Sequence, residues 1–291
     1  MKKKTLRPLS LTLALSIPSV AQAIDEVPEA LRYVERDDAI LNTIAEQLPE
    51  RRAVNAGFLS DDTSPVLSLN QDAKVWVTGW DEGAGYRNSI MVVQYEDGAF
   101  DGLTKSDIDT NGRGTISMNE LNRVDGVQAD WLFPNFSMQG KGGQLLPGAT
   151  LDLNEGAPIA AGTNITFGLA ANAWRGNSIN GQNIGGNGSN YWGLDFLNTE
   201  ASASADINSR EDNSRHVAML FADDSQNTVL MGFEDLRRPW GDNDFNDAVF
   251  SIYATPEGAF AGSEIATAPA PGLAVLGLLG LAFFPRVRKK A

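Results

Sequence analysis

Phe233–Phe250 reads FEDLRRPWGDNDFNDAVF. Glu234, Asp235, Asp242, Asp244 and Asp247 fall within fourteen residues, with Asn243 and Asn246 among them. On a calcium-loop frame, Asp242, Asp244 and Asn246 take positions 1, 3 and 5, but position 6 is Asp247 and position 12 is Tyr253. The EF-hand needs glycine and glutamate there. The chain instead runs into AVFSIY, whose alternation is that of a strand with one buried face. The stretch is therefore expected to be a loop between strands. Crowded carboxylates disfavour one another's ionised forms, so they take up protons, pair with bases or hold a cation. Oxygen-only ligands suit a hard cation, calcium before magnesium or manganese. Arg237 and Arg238 offer the alternative of a surface ion-pair patch.

Outward from this loop, short segments rich in Val, Ile, Phe, Tyr and Trp alternate with Gly/Asn/Asp stretches. Strands are expected at 66–69, 74–78, 89–95, 150–153, 164–170, 191–196, 215–221, 228–233 and 248–253. No helices alternate with them, which excludes a parallel βαβ sheet. The fold class expected is mainly β: an antiparallel β-sandwich or jelly-roll-like domain over 54–256. Residues 24–53 form an N-terminal helical segment, since Ala39, Ile40, Ile44, Ala45 and Leu48 recur at helical spacing. Residues 257–271, rich in small side chains, read as a linker. The Gly/Asn loop 176–190 is too poor in apolar residues to pack.

A small helical insertion is expected at about 101–124. Asp109–Glu120 reads DTNGRGTISMNE. Asp109, Asn111, Thr115 (through its carbonyl), Ser117 and Glu120 fall at EF-hand ligand positions 1, 3, 7, 9 and 12, and Gly114 supplies the turn. Position 5 holds Arg113, which has donors only. Either water replaces that ligand, at a cost in affinity, or the loop keeps its fold without metal.

Both ends read as addresses. Residues 1–23 combine a basic start, an apolar run and Ala21-Gln22-Ala23, the pattern of a secretory signal peptide. Residues 272–291 hold the apolar run Leu273–Phe284, about 18 Å long as a helix, followed by Arg286, Arg288, Lys289 and Lys290. Bilayer hydrocarbon is roughly 30 Å thick, so this C-terminal apolar helix spans barely at best. With Pro269-Ala270-Pro271 before it, the tail resembles the PEP-CTERM sorting signal, which usually has Pro-Glu-Pro. That resemblance implies processing by an exosortase-like enzyme and delivery to the cell surface, outer membrane or extracellular polymer of a Gram-negative bacterium.

The formal charge is −14, and eight of the 23 bases lie in the two ends. The remainder is strongly acidic, which repels nucleic acid and attracts divalent cations. There is no cysteine and one histidine, His216, read as a strand-edge residue and not a ligand. Thiolate chemistry is excluded, and no nucleophile elbow, phosphate loop or zinc-protease motif is present.

Gly232–Ile252 (GFEDLRRPWGDNDFNDAVFSI) and Ala73–Ile90 (AKVWVTGWDEGAGYRNSI), together with DWLFPN at 130–135, resemble the domain of unknown function 4114 family and, more loosely, the LruC-type domain. The resemblance covers roughly 54–254 and implies an exported, β-rich, cation-dependent protein. The metal candidates it implies are Glu234, Asp235, Asp242, Asp244, Asn246 and Asp247, with Glu82 and Asn88 approaching from the other motif. The function expected is a non-catalytic, calcium-stabilised surface or matrix protein. The alternative is a calcium-dependent module binding extracellular polysaccharide, with Trp80 and Trp240 as the stacking candidates beside the acidic loops. A glycoside hydrolase is the weaker third reading.

Overall fold

The alternation read in Ala248–Tyr253 is realised as a strand over Ala248–Thr255. Ala248, Phe250, Ile252 and Ala254 enter the main core, Val249 packs on the opposite face, and Tyr253 is exposed. The computed structural model describes residues 25, 27–179, 190–211, 213–222, 225–238 and 240–267. The expected signal peptide, the C-terminal tail and most of the Gly/Asn loop lie outside the described residues. No helix among the described residues is long and apolar enough to cross a membrane.

The described chain is mainly β. In chain order its strands are β1 (Arg32–Tyr33), β2 (Leu67–Ser68), β3 (Lys74–Asp81), β4 (Ser89–Glu96), β5 (Val127–Phe133), β6 (Ala149–Asp152) and β7 (Thr163–Ala170). There follow β8 (Trp174–Arg175), β9 (Ser178–Ile179), β10 (Asn190–Trp192), β11 (Val217–Phe221), β12 (Thr228–Phe233), β13 (Ala248–Thr255) and β14 (Ala266–Thr267). One sheet runs β1-β6-β3-β13-β12-β11-β14, and a second runs β10-β7-β4-β5 with β2 also on β7. Their pairings are antiparallel except β11 with β14.

The alternation of apolar residues sorts these sheets into layers. Val75, Val77, Met219, Met231 and Phe250 of the larger sheet share one cluster with Ile90, Val92, Phe167 and Leu169 of the smaller. On the other face of the larger sheet, Leu220, Leu230 and Val249 meet the helix α1 (Asp38–Gln47) through Ile44 and Leu48. Asp37 caps that helix by accepting from the N–H groups of Ala39 and Ile40. On the other face of the smaller sheet, Met91, Val93 and Tyr95 pack with Ile108, Ile116 and Leu121 of the 101–124 insertion.

Three segments differ from expectation. The expected strand 191–196 stops at Trp192, and a 3-10 turn occupies Asp195–Leu197. The Asn198 side chain accepts from Trp192 N–H and donates to Trp192 C=O, which pins the reversal. The expected linker is not free at its start: Ala259 and Phe260 are buried in the core, and β14 pairs with β11. Strand β5 was not foreseen, because the register slips between Ile90 and Met91 where β4 pairs with it and its burial does not alternate.

Phe250 meets the rings of Phe136, Phe167 and Phe233 at centroid distances of 6.0, 5.2 and 6.1 Å. Phe250→Ala is expected to cost about 3–5 kcal/mol, read as a lower melting temperature by circular dichroism. A loss under about 1 kcal/mol would contradict a core shared by both sheets.

Candidate metal centre

The antiparallel register assembles the site. Phe233, the end of β12, faces Ala248, the start of β13, and Val249 faces Asp81, the end of β3. The 234–247 loop therefore leaves the sheet beside Glu82. Asn88, just before β4, reaches the same corner, where its Nδ2 donates to Asp235 Oδ2 at 2.7 Å. Its Oδ1 accepts from Asn172 N–H at 2.9 Å. The two sequence motifs that carry the family resemblance thus meet, which the sequence alone did not show.

Within the loop, backbone N–H groups aim the carboxylates. Glu234 Oε2 accepts from Asn243 N–H at 2.8 Å and Oε1 from Leu236 N–H at 3.2 Å. Asp247 Oδ2 accepts from Asp235 N–H at 2.8 Å. Asp244 Oδ2 accepts from Arg51 N–H at 2.8 Å, and Asn246 Nδ2 donates to Glu50 Oε2 at 3.0 Å. Glu50 and Arg51 are contributors that sequence reasoning missed. Nothing in their local pattern marks them, since they lie about 190 residues away and arrive only by folding.

Two glycines make room. A Cβ on Gly241 would overlap the Glu234 carboxylate, and one on Gly83 would overlap the Asn246 side-chain oxygen. The turn itself is strained. Asn243 and Phe245 have φ of 59° and 55°. The left-handed region is tolerable for Asn but costly for Phe. Phe245 is held there by burial with Leu48, Trp80 and Val249.

Ligand oxygens of Glu234, Asp242 and Asp244, and again of Glu234, Asp235 and Asp247, lie within 4.8 Å of one another. Glu234 is wholly buried, Asp235 and Asp244 nearly so, while Asp242 is exposed. Burial is the first cause that pushes Glu234 and Glu82 up to about 7, with Asp235 adding repulsion to each. Asp235 is raised by burial and then by the Asp247 charge, Asp247 by burial and then by the Glu234, Asp244 and Asp242 charges, and Asp244 chiefly by burial. The two arginines are engaged elsewhere. Arg237 Nε lies 3.1 Å from Glu200 Oε1. Arg238 donates to Asn243 Oδ1 at 2.7 Å and to Arg215 C=O at 2.9 Å. Among the described residues, no ion pair joins either arginine to a carboxylate of this loop.

His216 lies directly before β11, at the strand end expected from the sequence. It is fully buried, its ring stacks on Tyr191 at 4.0 Å, and Nδ1 lies 3.1 Å from the Glu234 carbonyl oxygen. Nε2 lies 3.4 Å from Glu200 Oε2. It steadies the backbone of Glu234 from behind. Trp80, expected as a stacking platform, is 4% exposed and donates to Ser251 Oγ, so it is core; Trp240 is 79% exposed.

The EF-hand-like loop is a separate place, on the outer face of the smaller sheet. Four-residue helices at Lys105–Ile108 (α2) and Met118–Leu121 (α3) flank it. Asp109 Oδ1 and Asn111 Oδ1 accept from the same Arg113 N–H at 3.1 and 3.0 Å. Glu120 turns inward and accepts from Thr110, Asn111 and Ser117. Burial pushes Glu120 up, but these hydrogen bonds outweigh it and hold it below the usual carboxylate range. Thr115 meets Thr199 through its hydroxyl. In this loop the inward acid stands alone among its donors, whereas in the 234–247 loop several carboxylates share theirs with one another's charge.

These features define a mainly β protein with a buried carboxylate centre at one corner of its larger sheet. Residues 159–255 match the family model described as Domain of unknown function (DUF4114). The match spans β7 to β13 and includes Glu234–Asp247; Glu82 and Asn88 lie before it. No curated protein and no solved structure matches the chain.

Metal-free, Glu82 and Glu234 bind protons more tightly folded than unfolded. The stability this gives is complete below their ordinary value of 4.5 and is lost as pH rises through about 7. The melting temperature of chelated protein is therefore expected to fall between about pH 5 and about pH 8, and Glu234→Gln should flatten that fall. A rise over the same interval would contradict the buried, unpaired state of these groups. At the other loop, Glu120→Ala should lower the melting temperature even in chelator, because Thr110, Asn111 and Ser117 lose their shared acceptor.

Proposed function

We propose that the chain is an exported, non-catalytic protein of the cell surface or extracellular matrix whose domain is stabilised by calcium at the Glu234–Asp247 loop. The observation that carries this reading is the two groupings of carboxylate oxygens, each within 4.8 Å, that meet at the wholly buried Glu234, while Arg237 lies against Glu200. A buried anion needs a compensating charge, and an all-oxygen, acid-rich set of this kind suits calcium. The two larger sheets are read as a β-sandwich, supported by the one core their inward residues share. Export and transient membrane insertion rest on residues 1–23 and 272–291 of the sequence, with an exosortase-like enzyme as the processing partner.

Unloaded carboxylates repel each other at the ends of β3 and β12, so calcium binding favours the folded state. Calcium at about 100 times its dissociation constant adds about 2.7 kcal/mol, or roughly 5–10 °C for a domain of this size. Melting in calcium and in chelator checks this, and Glu234→Gln should remove the difference. Equal melting temperatures would end the reading.

Trp240, 79% exposed beside the centre, and the stacked pair Trp76–Tyr253 favour a second reading as a polysaccharide-binding module. Retention on extracellular polysaccharide that Trp240→Ala weakens would support it.

A further inference from the structure

The carboxylates of the centre fall into two groupings rather than one ring. Glu234 belongs to both: with Asp242 and Asp244, and with Asp235 and Asp247. The first opens to solvent through Asp242. The second lies inside, where Asp235 is nearly buried and is held by Asn88.

Glu82 borders the inner grouping. It is 0% exposed, and its Oε1 has no hydrogen-bond partner. Its other oxygen, Oε2, accepts from Met138 N–H at 3.4 Å. The next residue, Gly83, donates its N–H to Asn246 C=O at 2.8 Å, which ties this segment to the loop. Lys141 does not neutralise the Glu82 carboxylate by contact. Its ammonium donates to the Glu82 backbone carbonyl and lies 3.7 Å from Asp81.

Charge then sets the number of cations. Ionised, Glu82, Glu234, Asp235, Asp242, Asp244 and Asp247 carry six negative charges. One divalent cation leaves four of them, mostly buried, and two leave two. Uncompensated buried charge costs several kcal/mol per ion, so a single cation leaves the inner grouping unsatisfied.

We propose that the centre binds a pair of divalent cations bridged by the Glu234 carboxylate. The outer cation is held by Glu234, Asp242 and Asp244. The inner one is held by Glu234, Asp235 and Asp247 and takes the orphaned oxygen of Glu82. The inference rests on the calcium reading of this loop and adds its stoichiometry and its bridge. A shared carboxylate places paired metals about 3.5–4 Å apart. Gly241 is the matching constraint, because the Glu234 carboxylate lies against its Cα and leaves no space for a side chain.

Terbium and europium bound together to the unmutated full-length chain provide the first test. Energy transfer between them at a separation of a bridged pair is expected, and its absence would overturn the proposal. Calcium counted by equilibrium dialysis provides the second. The Asp242→Asn, Asp244→Asn double variant should lose about one ion per chain, and Glu82→Gln with Asp235→Asn should lose about one other. Glu234→Gln should lose both. Circular dichroism in chelator confirms that each variant folds. If each double variant removes the same single ion, the paired centre is wrong while calcium stabilisation stands. No calcium at this loop and no melting shift would overturn both.

Discussion

The constraint on which the molecule turns is the double pairing of β13, with β12 on one side and β3 on the other. It places the end of β12, the start of β13 and the end of β3 at one corner of the sheet. The residues that follow those ends, Glu234, Asp235 and Glu82, must then share a small buried volume. Their repulsion is a consequence of register, and a one-residue slip would exchange the core and outer faces of β13. The apolar alternation Ala248, Phe250, Ile252, Ala254 opposes such a slip. Core packing and the carboxylate centre are thus held by the same strand.

The two acidic loops show why ligand spacing alone does not identify a site. Asp109–Glu120 matches the calcium-loop frame closely, yet its inward acid is satisfied by hydrogen bonds from the turn. The 234–247 loop fails that frame at positions 6 and 12. Its carboxylates nonetheless crowd one another, and although each of the buried ones accepts a hydrogen bond, burial raises four of them together with Glu82. The contrast is between one acid whose hydrogen bonds outweigh its burial and several acids whose burial outweighs theirs.

Much of this was legible in the sequence. Period-2 alternation marked β13, apolar runs between Gly/Asn/Asp segments marked β12 and β4, and the acids at Asp242 and Asp244 stood out beside them. Strand β5 and the buried Phe260 were not legible, because a register slip and a run of small residues erase periodicity. Trp80 was misplaced because a buried indole N–H needs a partner, and its partner, Ser251, comes from a distant segment. Convergence of Glu82 and Asn88 on Asp235 was implied by resemblance, but only tertiary pairing brings it about. Glu50 and Arg51 lay beyond any local signal.

Those last two residues show how the centre extends past its own loop. Arg51 N–H donates to Asp244 and Glu50 accepts from Asn246, just after the helix that covers the larger sheet. Phe245, between Asp244 and Asn246, is driven into the left-handed region and buried against Leu48 of the same segment. The loop is thus fastened to the N-terminal segment by two polar contacts and one apolar plug. Backbone strain at Phe245 persists only while those contacts define the turn. Charge neutralised at Asp244 therefore supports the packing of α1, and loss of α1 packing would release the turn that aims Asp244. Site and layer stabilise each other, which is why an acidic loop at a sheet corner can bear on the stability of the whole domain.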